Sequence, residues 1–122
     1  QLSKAMVHFF SYIIELQEVM FMQMKAFEMI GFAGDAMSLI MQALDDLADN
    51  KFDEASQRVQ EAKLEINKAH QVQTDLLMKG FKEDSVEEPV SLIMVHAQDH
   101  LMNAMLAMQL VEKIIKIQKR NS

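Results

Sequence analysis

The sequence predicts an all-α protein, and composition and turn spacing lead to that prediction. Only three Gly and one Pro occur among 122 residues, and both residue types disfavour helix interiors. Ala, Leu, Met, Glu, Lys and Gln, which all favour helices, dominate the chain. Turn signals at 49–51 and 80–89 divide it into three long segments. Three helices joined by short connections predict an antiparallel, up-down-up three-helix bundle.

The first helix is predicted from Glu18 to Ala48. Residues 1–17 are expected to form a separate amphipathic lead-in, or a segment that is ordered only by packing, because their apolar side chains would otherwise be exposed. Gly31 and Gly34 lie inside the predicted helix. Each glycine weakens a helix by about 1 kcal/mol, so a kink or a break is expected there. The alternative explanation is that the two glycines allow a neighbouring helix to pack closely, with no chemical role.

The second helix is predicted from Phe52 to Met78 and carries a heptad pattern. One position of the heptad is filled by Phe52, Val59, Ile66 and Gln73, and the other by Ala55, Ala62, Ala69 and Leu76. Such a pattern indicates packing along one seam, and alanines at the seam allow a close neighbour. Residues 80–89 are predicted as a loop, with Gly80 suited to a helix end and Pro89 to a helix start. The third helix is predicted from Val90 to Gln118.

Charge and composition exclude several classes of function. The net charge of −6 argues against nucleic-acid binding, because no basic stripe is available to neutralise phosphates. The chain has no Cys, which excludes disulfides and thiol chemistry and fits a cytoplasmic location. The longest apolar run near the start is too short to span a bilayer, so no direct membrane insertion is expected. The twelve Met residues are interpreted as flexible core filler.

A polar group interrupts an apolar stripe on the third helix. His96, Asp99, His100 and Asn103 fall within about a quarter turn of one another. The remaining members of the stripe are Leu92, Ala107, Leu110, Ile114 and Ile117. An apolar stripe is normally buried, and a buried carboxylate is costly unless it is paired, protonated or bound to a cation. The third helix is also more apolar than a three-helix bundle can cover, which predicts an oligomer.

Three interpretations of this polar group follow from its spacing. His96, Asp99 and His100 could offer zinc three ligands, although the Glu of the His-Glu-x-x-His motif is absent. A histidine could instead carry a phosphoryl group as a phosphoramidate. The third interpretation is a hydrogen-bonded polar layer that fixes helix register without chemistry. No nucleophilic triad motif or glycine-rich phosphate loop occurs in the sequence.

Three stretches resemble one protein family. The stretches are Val95-His96-Ala97-Gln98-Asp99-His100-Leu101-Met102, Ala33-Gly34-Asp35-Ala36-x-Ser38-Leu39 and Ala69-His70-x-x-Gln73-Thr74. They resemble the lactose/cellobiose-type enzyme IIA of the bacterial sugar phosphotransferase system (PTS). The resemblance covers residues 18 to 119, so 18–122 is predicted to be the IIA domain. One departure is Met37, where the family commonly has Arg, and it affects a local contact of the first helix.

The resemblance implies a phosphotransferase component that acts as a carrier. It implies that His96 accepts a phosphoryl group from phospho-HPr and passes it to enzyme IIB, for uptake of a β-linked disaccharide such as lactose, cellobiose or chitobiose. His100 and Gln98 are the other candidate catalytic residues, and His70 and Gln73 are candidate neighbours of the site. The family forms homotrimers, which implies one Mg²⁺ per trimer shared by Asp99 of three chains. The alternative function is a metal-stabilised helical oligomerisation module without phosphotransfer.

Overall fold

The computed structural model describes residues 1–82 and 91–122. It contains three α-helices: α1 spans Lys4–Ala48, α2 spans Phe52–Lys82 and α3 spans Leu92–Arg120. No strand occurs within these two described ranges. The prediction of an all-α protein built from three helices is therefore confirmed.

Local sequence signals fix the ends of these helices. The side chains of Ser3 and Ser91 each accept a hydrogen bond of 3.2 Å, from the backbone N–H of Met6 and Met94 respectively. Such N-caps satisfy backbone donors that the first turn of a helix leaves unpaired. Between α1 and α2, Asn50 adopts a positive φ of 59°. Asn tolerates this left-handed conformation better than most residues, which explains why the tight turn falls here.

Contacts between side chains establish that neighbouring helices are antiparallel. Along α1 and α2, Arg58 Nε donates to Asp46 Oδ2 at 2.6 Å, while Lys79 Nζ lies 4.3 Å from the centre of the Phe21 ring. Along α2 and α3, Lys63 bonds Glu112 and Gln73 bonds Gln98. In both pairs of helices, α2 residues with higher residue numbers contact residues with lower numbers in the neighbouring helix. The chain direction therefore reverses from each helix to the next, which confirms the predicted up-down-up arrangement.

The core between the helices is rich in alanine. Its fully buried members include Ala55, Ala62 and Ala69 of α2, together with Val59 and Ile66 at the alternate heptad positions. The heptad predicted from the sequence is therefore the inward face of α2. Small side chains at the seam let the helices approach closely, and the larger Met29, Ile40 and Leu101 fill the remaining space.

The first helix is longer and more regular than predicted. It starts at Lys4 rather than Glu18, so residues 4–17 continue the same helix. It also passes through Gly31 and Gly34 without a break, so the predicted break is wrong. A Cβ atom added at either glycine would have nothing within 4 Å, which excludes close packing within the chain as the alternative explanation. Since tertiary packing on both sides holds the helix, two weak positions do not interrupt it.

The remaining helix ends differ from the predictions by a few residues. The second helix continues to Lys82, past the predicted end at Met78 and through Gly80. The third begins at Leu92 and ends at Arg120, each two residues later than predicted. The rest of the predicted loop, from residue 83 to Pro89, lies outside the described residues, as does Val90.

The isolated chain exposes more surface than a compact monomer of its mass. Its accessible surface is 8779 Å², whereas a compact monomer of 14.0 kDa is expected to expose about 6,700 Å². Large apolar side chains contribute to the excess in two places, the N-terminal part of α1 and one face of α3.

Candidate functional site

The third helix has two apolar faces, and only one of them lies in the core. The buried face consists of Ala97, Leu101, Ala104, Val111 and Ile115. We define the α3 stripe as the opposite face, with Leu92, His96, Asp99, Asn103, Leu106, Leu110 and Ile117, all of which are exposed. The expectation that this stripe is buried is wrong for the single chain, because the alanine-lined face packs against α1 and α2 instead. The predicted excess of apolar surface is confirmed: Leu92 is 84% exposed and Leu110 53%.

His96 and His100 form a pair on this surface. Their Nε2 atoms lie 3.0 Å apart, and the rings meet edge to face with centroids 4.5 Å apart. The pair forms because residues four apart lie one above the other on a helix. When both rings are neutral, one Nε2 must carry a proton and donate it while the other accepts. The contact therefore leaves one of the two imidazoles with an unprotonated Nε2.

Asp99 lies beside this pair on the α3 stripe. Its side chain is exposed and makes no hydrogen bond or ion pair with any side chain that the structure describes, in 1–79 or 91–122. Within those same ranges of one chain, no three His, Cys, Asp or Glu side chains are grouped so that they could hold a metal ion. The interpretation of His96, Asp99 and His100 as three zinc ligands of a single chain therefore has no support in the geometry.

The other predicted site residues link α2 to α3. Gln73 Nε2 donates to Gln98 Oε1, and His70 Nε2 lies 3.0 Å from Met105 Sδ. All four side chains are half-buried. Gln98 is thus directed towards α2, and the structure does not bring it into contact with the histidine pair. Gln73 and His70 thus contact α3 at Gln98 and Met105, and their role as neighbours of the site stays a prediction.

Two residues alter the sequence-based description of the site. Met105 contacts His70, and sequence analysis did not single it out because one methionine among twelve carries no signal of its own. Met37, where the family commonly has Arg, is half-buried and packs against the core.

The fold and the site define a class, namely small helical bundles that present a histidine pair on an exposed helix face. The chain matches the sequence model of the family described as PTS system, Lactose/Cellobiose specific IIA subunit, over residues 24–119, and it belongs to that family. This finding confirms the resemblance that the three motifs indicated. As a family member, the chain is a component of a sugar phosphotransferase system.

Relatives and solved structures agree with this assignment. The chain is 39% identical over 100 residues to the PTS system lactose-specific EIIA component of Staphylococcus epidermidis, a match that covers 82% of this chain and 94% of the relative. The crystal structure of PtcA from S. mutans superimposes with a TM-score of 0.74 at 39% identity, over 80% of this chain and 94% of that one. The PTS cellobiose-specific enzyme IIA from Bacillus anthracis gives 0.72 at 34% identity, over 80% and 87%.

A third similar structure is a complex. It contains IIA(Chitobiose) with HPr, from the N,N'-diacetylchitobiose branch of the Escherichia coli phosphotransferase system. The TM-score is 0.65 at 32% identity, over 79% of this chain and 91% of that one. Separately, none of the helices in the described part of the chain combines the length and the apolar character needed to cross a membrane.

Proposed function

We propose that this protein is a histidine phosphocarrier, which accepts a phosphoryl group on His96 and passes it to enzyme IIB. The observation that carries the proposal is the exposed His96–His100 pair, with Nε2 atoms 3.0 Å apart, in a chain of the lactose/cellobiose IIA family. A carrier must exchange its phosphoryl group with two partner proteins, so its nucleophile has to be reachable. His96 is exposed and meets that requirement.

The transfer conserves atoms and electrons through one exchange of P–N bonds. The lone pair of His96 Nε2 attacks the phosphorus atom of a phosphohistidine on the donor. The new P–N bond forms as the donor's own P–N bond breaks, and the donor imidazole recovers its lone pair. His96 keeps its ring proton on Nδ1. In the second step a nucleophile of enzyme IIB attacks the same phosphorus, and the P–N bond to His96 breaks.

His100 is proposed as the residue that prepares His96 for attack. When His100 carries its proton on Nε2, it donates to His96 Nε2 and holds the proton of His96 on Nδ1, which is the tautomer that attack requires. Once His96 is phosphorylated, the same N–H can donate to a phosphoryl oxygen. His100 would thereby donate a hydrogen bond to His96 before phosphorylation and to the phosphoryl group after it.

HPr is the proposed donor. The similar E. coli IIA(Chitobiose) was solved in complex with HPr, which supports the same partner for this chain. Relatives and similar structures named for lactose, cellobiose and N,N'-diacetylchitobiose support a β-linked disaccharide as the sugar class of the system. The carrier exchanges phosphoryl groups with proteins only, so the sugar is fixed by other components of the system.

We propose further that the protein is a homotrimer joined along the α3 stripe. Each chain exposes about 2,000 Å² more than a compact monomer of its mass, and the exposed apolar side chains of the α3 stripe account for part of that excess. Leu106, Leu110 and Ile117 continue the stripe beyond the polar group and supply its apolar part.

A trimer would bring three Asp99 carboxylates together, and we propose that one Mg²⁺ is bound there. The donor set fits such an ion, since carboxylate oxygens are the ligands that hard divalent cations prefer. One chain alone offers only one such carboxylate on the α3 stripe. When bound, the cation would offset the repulsion between like charges in a partly dehydrated site.

Phosphorylation by a reconstituted donor system tests the function. The protein is incubated with phosphoenolpyruvate, enzyme I and HPr, and its intact mass is measured. One phosphoryl group per chain is expected, labile in acid and stable in alkali. His96→Ala should abolish the label without loss of helical content, because the side chain is exposed, and His8→Ala, also exposed, is the matched control that should retain it. A phosphorylated His96→Ala variant contradicts the assignment, and stoichiometric zinc without labelling indicates the helical oligomerisation module instead.

A further inference from the structure

The N-terminal part of α1 exposes a long apolar surface outside the region that matches the family. We define the arm as residues 4–24 of α1. The family match begins at residue 24, and no residue of α1 before Ala26 is buried. The large apolar side chains of the arm that are exposed to 40% or more are Met6, Val7, Phe9, Phe10, Tyr12, Ile14, Leu16, Val19, Met20, Phe21 and Met24.

The arm has a defined polar side and a defined apolar side. Lys4, His8, Ser11, Glu15 and Glu18 follow one another at alternating intervals of four and three residues, which places them on one side of the helix. We define the arm stripe by the same spacing on the opposite side: Met6, Phe10, Ile13, Gln17, Met20 and Met24. A stripe with this spacing is the seam of a coiled coil, which packs against another helix of the same kind. In the arm the seam faces solvent.

We propose that the arm is an interaction surface whose partner is the arm of a second copy of this chain. The area is sufficient for such a contact. At about 100 Å² each, the exposed apolar side chains of the arm offer about 1,100 Å². If two copies each cover about half of that, the contact removes about 1,100 Å² in total, close to the lower limit of specific interfaces.

The charges of the arm argue for protein rather than lipid as the partner. Lys4, Glu15 and Glu18 give the arm one net negative charge, whereas helices that lie on anionic membranes carry Lys and Arg on their polar side. Within the described residues no helix is suited to cross a bilayer. A helix that is apolar around most of its circumference is normally buried, either in a membrane or against other protein. The arm of a second copy would bury this helix against protein.

Cross-linking through introduced cysteines tests the pairing in the full-length protein. The chain contains no Cys, so each variant carries a single thiol. Ile13→Cys places the thiol on the arm stripe, and the matched Ser11→Cys places it on the polar side, about half a turn away. Under mild oxidation of a parallel pair we expect Ile13→Cys to form a disulfide-linked dimer at least ten times faster than Ser11→Cys. For an antiparallel pair we expect the fast cross-link in a mixture instead, with Ile13→Cys joining Met20→Cys at least ten times faster than Ser11→Cys joins Met20→Cys.

Equal rates for Ile13→Cys and Ser11→Cys both alone and when mixed with Met20→Cys, or no cross-linking of any stripe variant alone or mixed, would overturn the proposal. A fluorescent label at Ile13→Cys that changes its emission only with added lipid vesicles would overturn it as well, in favour of a membrane partner. In sedimentation equilibrium, Ile13→Glu should give a lower average mass than the wild type, or should dissociate at a higher protein concentration. Ser11→Glu should behave like the wild type. The test is independent of phosphotransfer, because His96→Ala combined with Ile13→Cys should cross-link as fast as Ile13→Cys alone.

Discussion

The Nε2 atoms of His96 and His100 lie 3.0 Å apart on the exposed face of α3. Because one of two neutral rings must donate in this contact, the pair sets the position of a proton without any contribution from the rest of the chain. In the proposed mechanism, a single helical turn therefore contains both the nucleophile and the group that selects its reactive tautomer. The predictions for this site follow from that relationship.

Replacing the donor at residue 100 should slow phosphorylation without abolishing it. In His100→Ala, His96 keeps its lone pair, but the transferred phosphoryl group loses the hydrogen bond from residue 100, worth about 1 to 1.5 kcal/mol, which corresponds to about a tenfold slower transfer. His100→Gln retains an N–H donor and should recover part of the rate. Single-turnover labelling with phospho-HPr measures both variants. Complete loss of labelling in His100→Ala would instead make residue 100 the phosphorylated histidine.

Removing divalent cations should destabilise the assembly through Asp99. Two carboxylates 4 Å apart cost about 4 kcal/mol at an effective dielectric of about 20, before relaxation. A chelator at neutral pH should therefore lower the Tm of the wild-type protein, measured by circular dichroism. Asp99→Leu should remove that sensitivity and keep the trimer, because an apolar layer replaces the like charges. A monomeric wild-type protein in the presence of magnesium would contradict the shared site.

Two leucines on opposite faces of α3 should separate folding from association. Leu101 is fully buried, so Leu101→Ala should lower the free energy of unfolding by about 2 to 5 kcal/mol. Leu110 is 53% exposed in the single chain, so Leu110→Ala should change the stability of the separated chain by no more than about 0.5 kcal/mol. Sedimentation equilibrium should nevertheless show weaker association for Leu110→Ala. Equal association of Leu110→Ala and the wild type would contradict the use of the α3 stripe as an interface.

The glycines of α1 should be replaceable by alanine with a gain in stability. A Cβ at Gly31 or Gly34 meets nothing within 4 Å, and alanine favours a helix over glycine by about 1 kcal/mol. Urea unfolding of Gly31→Ala and Gly34→Ala should therefore show a higher midpoint than the wild type. A lower midpoint for either variant would indicate that another copy of the chain covers this face in solution.

Composition, heptad spacing and turn signals were sufficient to predict three helices and their antiparallel order, because these are local properties of the chain. The same local information misplaced the start of α1 by fourteen residues and predicted a break at Gly31 and Gly34. The continuity of α1 through the two glycines depends on packing of residues 26–47 against the other helices, and that packing outweighs a local preference of about 1 kcal/mol. Helix propensity alone could not show that the free energy of packing exceeds this local preference.

At the site, the sequence by itself determined that His96, Asp99 and His100 share one face of a helix, because the spacing of residues on a helix is fixed. Only the tertiary structure decided which face of α3 enters the core. Both faces are apolar, and the one with Ala97, Ala104 and Leu101 is buried because its small side chains allow α1 and α2 to approach closely. That choice leaves the histidine pair exposed, since a helix cannot bury two opposite faces in a bundle of three.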